Sequence, residues 1–150
     1  DLNLLKLFGT ELDLYNITNI VRGKFWNLDD QSINDLLVSH TSSTSDELLS
    51  KMISAESLKS SFMELSKTKF SEIIPSEADD IIMINEFERK FDIFLYNSLL
   101  KEFANMFKLS TVVSVVRLYD YEIRNLSSIS YAVENNISSD IVMSKIIASE

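Results

Sequence analysis

The stretch DIIMINEFERKFDIFLYNSLLKEFANMF, residues 80–107, places apolar side chains at Ile84, Phe87, Phe91, Phe94, Leu95, Leu99, Phe103 and Met106. That three-four spacing persists for about seven turns, the signature of a long amphipathic α-helix. Lys108 to Ser110 reads as a tight turn, and Val112, Val116, Tyr119, Ile123, Leu126, Ile129 and Val133 mark a second long helix. Two long helices joined so closely must pack as an antiparallel hairpin, and the Phe stripe of the first reads as core, with a binding surface as the alternative. The predicted fold class is all-α: a helical bundle of repeated units, with long antiparallel helices and short connecting helices.

The residues upstream agree. Only Gly9, Gly23 and Pro75 punctuate the chain, too few for the tight turns of an all-β protein. Residues 2–26 read as a helix with Leu5, Phe8, Leu12 and Tyr15 on one stripe, extended by Ile17, Ile20 and Val21, and with Gly9 as a place to bend. Trp26, beside Phe25 at the helix end, reads as packing on its own core, with an interface anchor as the alternative. Asp29 or Asp30 should cap a short helix through Ile33, Leu36 and Leu37, and the polar run from His40 to Thr44 reads as a loop. Ser45 caps a helix through Leu48, Leu49 and Met52, and Ser57 opens another that runs to about Ser66. Ser71 to Asp80 contains the single proline and several acids, the best hinge in the chain. The expected division is a first, partial helical repeat over residues 1–75 and a second repeat, with the long hairpin, over residues 76–150. Ser139 is expected to cap a final helix, Ile141 to Ile147.

A formal charge of -9 and a pI near 4.6 give nucleic acid and anionic lipid no long-range attraction. The absence of cysteine excludes disulfides, thiolate metal sites and cysteine nucleophiles. No apolar run approaches the roughly 18 residues that cross a bilayer. Residue 1 is not Met, consistent with a processed chain or a fragment.

Placing Asn125 over Asn16 aligns two stretches without a gap. Leu14 then falls on Ile123, Ile17 on Leu126, Ile20 on Ile129, Leu28 on Ile137, Ile33 on Val142 and Leu37 on Ile146, while Asp13 coincides with Glu122. A carboxylate, an Asn three residues later, an apolar helix end, a turn and a short helix thus occur twice. Repetition at about a hundred residues suggests duplicated helical domains, and its phase reads residues 1–27 as the last helix of a preceding unit.

In each copy the acid and the Asn lie one helical turn apart on one face. Asp13 with Asn16, and Glu122 with Asn125, are therefore candidates to receive a basic side chain or the N-terminal amides of another helix, and so to fix helix register. Solvated surface positions are the competing reading. Arg22 and Arg124 are candidates to pair with these acids or with neighbouring helices. Catalytic constellations are poor. His40, the only histidine, stands in a Ser/Thr-rich loop with no carboxylate near it in sequence. Glu72, Glu77, Asp79 and Asp80 lack the spacing of a calcium loop and suit a helix N-terminal flank. Neither glycine lies in a phosphate-cradling motif, and the sequons at Asn16, Asn125 and Asn136 read as coincidence. No catalytic residue, metal ligand or cofactor site is assigned. An acid-base hydrolase using Glu122 or Asp13 stays as a minor alternative.

These residues also carry a resemblance. Glu11-Leu12-Asp13-Leu14-Tyr15-Asn16-Ile17, with Arg22 and Lys24, is similar to the I-D-x-x-N-I segment and following R-x-K of one ATPase family, the C subunit of the archaeal A-type enzyme and the d subunit of the V-type enzyme. Tyr121-Glu122-Ile123-Arg124-Asn125-Leu126 resembles that family's closing helix, a Tyr followed by E-[IV]-[RK]-N-L, and Asn135-Asn136-Ile137 with the last short helix resembles its terminus. The likeness is weakest over residues 41–79. It implies a non-catalytic central-stalk (rotor) subunit of a proton- or sodium-translocating ATPase, cytoplasmic and peripheral to the membrane. Family members are about twice as long, a funnel of three helical domains. The implied partners are the central-shaft subunits and the membrane proteolipid ring, without cofactor or nucleic acid. An unrelated all-helical scaffold or regulatory adaptor is the alternative.

Overall fold

The computed structural model describes residues 1–39, 43–77, 79–105 and 107–148. Seven α-helices lie among them: α1 (Leu2–Phe25), α2 (Asp30–Asp35), α3 (Asp46–Ser54), α4 (Leu58–Met63), α5 (Asp80–Phe103), α6 (Leu109–Glu134) and α7 (Ser139–Met143), with short 3-10 turns at Glu64–Lys67 and Ser71–Ile73. No strand occurs among the described residues. The helix starts follow side-chain chemistry. Asp29 accepts the Ser32 amide at 2.9 Å and Ser45 accepts that of Leu48 at 3.2 Å. Ser57 and Ser60 form a reciprocal capping box. Each cap stabilises its helix by about 1 kcal/mol.

Residues 5–91 form one compact unit and residues 92–150 with residues 1–4 the other. The anticipated repeats divide the sequence at 75/76, whereas the packing divides inside α5. In the first unit, Leu14, Ile17, Ile20 and Val21 of α1 are buried, together with Ile33, Met52, Phe62, Leu65, Phe70, Ile73, Met83 and Phe87. Each such side chain stabilises the fold by roughly 1.5 to 3 kcal/mol. The Phe62 and Phe87 rings meet at 5.1 Å. α2 packs on α3 and α3 on α4.

In the second unit the end of α5 and α6 run antiparallel. Near one end, Asp92 accepts from the Tyr121 hydroxyl at 3.0 Å and pairs with Arg124 at 2.9 Å; near the other, the Thr111 hydroxyl donates to the Glu102 carbonyl at 3.5 Å. The Tyr96 and Tyr121 rings meet edge to face at 5.5 Å. Burial, reinforced by the Asp92 charge, holds the Tyr121 phenol above its ordinary pKa. α7 packs on α6.

The apolar faces depart from expectation. On α1 the stripe of Leu5, Phe8 and Tyr15 is exposed, and the buried side carries Leu7, Leu14, Ile17, Ile20 and Val21 with Asp13 and Asn16. Apolar residues surround this helix, so spacing alone does not choose its inner face. On α6 the marker residues Val112, Val116, Tyr119, Ile123, Leu126, Ile129 and Val133 are all exposed, while Ser110, Ser114, Tyr121 and Ala132 are buried. Trp26 is exposed rather than packed on the core. α5 ends at Phe103 and α6 already begins at Leu109, with Phe107 in a left-handed conformation (φ 69°) between them. Met106 and His40 lie outside the described residues.

The Pro75 segment, expected as a hinge, is pinned to α5. Glu86 accepts from the Ser76 amide (2.9 Å), the Ser76 hydroxyl (2.9 Å) and the Glu77 amide (3.3 Å), with the Lys90 ammonium at 2.9 Å. Lys90 also donates to the Ile74 carbonyl at 2.7 Å. Burial pushes the Glu86 carboxyl up, but the Lys90 contact and the three donors outweigh it and lower the pKa to about 2. A depressed folded-state pKa contributes stability above the ordinary carboxylate range and loses it as pH falls toward the folded value. Glu86→Gln is therefore expected to be less stable than the parent at neutral pH, and the difference should shrink as pH falls from about 5 to about 2. Thermal unfolding of both proteins across that range measures it; a gap independent of pH would show that the Glu86 charge is immaterial.

Candidate functional site

α1 carries Asp13 and Asn16 one turn apart on its buried face. The Asn16 side-chain amide closes on the backbone of Val38: its nitrogen donates to the Val38 carbonyl and its oxygen accepts the Val38 amide, each at 2.9 Å. A second clamp joins Asn125 to Ile147. The Asn125 nitrogen donates to the Ile147 carbonyl at 2.7 Å and its oxygen accepts the Ile147 amide at 3.0 Å. Both clamps span 22 residues, and an offset of 109 residues carries one onto the other.

The same offset carries much of the intervening backbone. α1 ends at Phe25 and α6 at Glu134; α2 begins at Asp30 and α7 at Ser139. α1 and α6 each close on an Asn with positive φ, Asn27 at 55° and Asn136 at 52°. The next amide reaches back to close the turn at 2.9 Å in both copies, Leu28 to the Gly23 carbonyl and Ile137 to the Ala132 carbonyl. Asn tolerates the left-handed conformation at this position better than most residues, which is why it stands there twice.

One pair of positions differs in a compensating way. A Cβ on Gly23 would lie 2.7 Å from Ile33 Cγ1 and 3.1 Å from Cδ1. The second copy has Ala132 and Val142 instead, with the methyl added on the long helix and one removed from the short one. Gly23→Ala is expected to destabilise by about 1 to 3 kcal/mol through overpacking, and Gly23→Ala with Ile33→Val to recover most of that. Urea unfolding of the two variants tests it; an uncoupled pair would mean that this contact does not set the helix spacing.

The acids of the two copies are not equivalent in surroundings. Asp13 is fully buried. It accepts from the Ser43 amide at 2.9 Å, the Thr44 amide at 3.3 Å and the Thr44 hydroxyl at 2.8 Å, and the Lys69 ammonium stands 3.6 Å away. Lys69 also donates to the Thr10 hydroxyl at 2.9 Å. So enclosed, Asp13 cannot meet a substrate, which removes it as a catalytic acid or base. Glu122 is exposed, and no donor reaches it among the described residues. It borders an open groove of ≈470 Å³ with Tyr96, Phe103, Tyr119, Asn125 and Ile147.

Neither arginine pairs with these acids. Arg22 binds Glu88 at 2.6 Å and Arg124 binds Asp92 at 2.9 Å, both acids lying on α5. Asp13 already has the loop amides and Lys69, while Arg22 stands more than two turns further along α1. The Arg22–Glu88 pair is about half exposed and holds little energy. No group of three or more His, Cys, Asp or Glu that could hold a metal occurs among the described residues.

Sequence reasoning misses the partners that complete the clamps. Val38 and Ile147 sit one position beyond Leu37 and Ile146, where the aligned apolar positions end. Ser43, Thr44 and Lys69 carry no comparable signal, because their second-copy counterparts would fall at positions beyond 150.

A family model for the ATP synthase (C/AC39) subunit matches residues 1–145 of the chain. No curated protein and no solved structure matches it.

Proposed function

The chain belongs to the ATP synthase (C/AC39) subunit family, and on that premise we propose that it serves as a non-catalytic central-stalk subunit of an A- or V-type ATPase, a socket between the central shaft and the membrane proteolipid ring. The observation that carries the reading is the extent of the match, nearly the whole described chain in one family of subunits. The site chemistry supports it. A torque-bearing socket needs helices held in fixed register, and two amide clamps with a sealed carboxylate supply register without any reacting group. Asp13, Asn16 and Asn125 act in this reading as positioning residues, and the Arg22 and Arg124 ion pairs join α1 and α6 to α5. No helix of the described residues is long and apolar enough to cross a membrane, so docking at the ring would be peripheral. A surface of this net negative charge would dock through specific contacts with ring-helix ends and not through attraction to anionic lipid.

Co-purification tests the proposal. The intact gene product, tagged and expressed with central-shaft and proteolipid subunits, is expected to elute with both in stoichiometric amounts. Elution free of both would reject the rotor reading and leave a helical scaffold or adaptor. The translocated ion, proton or sodium, would then follow from the ring and not from this chain.

A further inference from the structure

Most helices of the chain carry a cap of their own. Asp29, Ser45 and Ser57 cap α2, α3 and α4, and Asp79 caps α5 by accepting the Ile81 amide at 3.0 Å and the Ile82 amide at 3.1 Å. The longest helix does not. α6 has Lys108 at its cap position, which offers the first amides no acceptor and sets a cation against the positive end of the helix dipole. The acceptor comes from the start of α1. Asp1 Oδ2 accepts the Ser110 amide at 3.1 Å, while Oδ1 of the same carboxylate accepts the Asn3 amide at 3.0 Å and the Leu4 amide at 3.3 Å. One side chain thus caps two helices. Beside it the Asn3 side-chain amide donates to Glu102 Oε2 at 3.0 Å, and residues 1–4 accordingly group with the second unit.

The backbone that leads into this borrowed cap is strained. Phe107 has φ 69°, a left-handed conformation that a bulky residue adopts only at a cost. At its other positive φ positions, Asn27 and Asn136, the chain has Asn, which tolerates that conformation better. The Phe107 side chain is fully exposed, so its packing does not offset the strain. We propose that the start of α6 is a latched joint, a conformational device in which the Asp1 carboxylate is the latch and the Phe107 backbone, with the Lys108 cation, is the load that it opposes. Latched, α1 and α6 both keep their first turns. Released, both turns fray and the Phe107 backbone relaxes. The two helix starts therefore open and close as one event, although the latch and its Ser110 contact lie 109 residues apart. The inference rests on hydrogen bonds and backbone geometry and not on the rotor reading, so the two can fail separately.

Native-state hydrogen exchange of the full chain, read by NMR at the Leu4 and Ser110 amides, tests it. Asp1→Ala is expected to speed exchange at both about five- to tenfold, with amides in the middle of α6 unchanged. Asp1→Asn keeps a single acceptor oxygen, so it should protect Leu4 or Ser110 but not both. Lys108→Asp gives α6 its own cap, and combined with Asp1→Ala it should restore Ser110 while Leu4 stays unprotected. Phe107→Asn should act in the opposite sense and slow exchange at both amides about two- to fivefold, because it relieves the backbone without removing a contact. Ser110 exchange indifferent to Asp1→Ala would overturn the latch, and full protection of both amides in Asp1→Asn would overturn the shared carboxylate. No change with Phe107→Asn would overturn the strained joint. Faster exchange spread evenly along α6 in Asp1→Ala would make the effect a global loss of stability and overturn the local device.

Discussion

Asp13→Ala is expected to lower the stability of the first unit by about 3 to 5 kcal/mol, the largest effect of any single substitution considered for this protein. The carboxylate is fully buried and gathers two backbone amides, a hydroxyl and an ammonium from two segments that lie 30 and more residues away. Removing it leaves those donors facing a cavity that water fills poorly. The orphaned amides cost about 1 to 3 kcal/mol each, and Lys69, about one-third exposed, recovers part of its solvation. The matching substitution Glu122→Ala should change stability by less than about 0.5 kcal/mol, because Glu122 is exposed and no donor among the described residues holds it. Urea denaturation of the two variants provides the comparison. Equal effects would contradict the contrast between a filled and an open copy. Against a typical total stability of about 5 to 15 kcal/mol, a loss of that size is a large fraction of the whole.

The contrast between these acids also shows where sequence reading reaches and where it stops. The helices are legible because their signals are local: caps at Asp29, Ser45 and Ser57, the three-four spacing of α5, and the scarcity of glycine and proline. The duplication is legible because it needs only self-comparison. Inner faces are not. α1 carries Leu5, Phe8 and Tyr15 on one side and Leu7, Leu14, Ile17 and Ile20 on the other, and only the segments that fold back onto it, from Ile33 onward, select which set is covered. On α6 a regular apolar spacing marks the uncovered side, so a stripe records what a helix can bury and not what this unit buries. Partners such as Val38, Ser43 and Lys69 are chosen by chain reversal, and their contacts with α1 run mostly through backbone groups that any residue could supply.

Asn16→Ala is expected to cost about 2 to 4 kcal/mol and Asn125→Ala about 1 to 2 kcal/mol, both by opening the bidentate clamp. Each amide satisfies a backbone carbonyl and a backbone amide of a single residue at once, and alanine leaves both groups of Val38 or Ile147 without that partner. The difference follows from burial: Asn16 is fully buried, while Asn125 borders the groove, where water can replace it. Asp in place of either Asn separates geometry from packing. Its oxygen still accepts the backbone amide, but a second carboxylate oxygen then faces the backbone carbonyl, and repulsion replaces the donated bond. Asn16→Asp should therefore destabilise at least as much as Asn16→Ala despite keeping the side-chain volume. Native-state hydrogen exchange reads the clamps one at a time. The Val38 amide should lose protection in the Asn16 variants and the Ile147 amide in the Asn125 variant, each with the other left intact. Val38 protection that survives Asn16→Ala would mean that α2 holds its place by apolar packing alone, and the clamp would then be a consequence of the helix contact and not its cause.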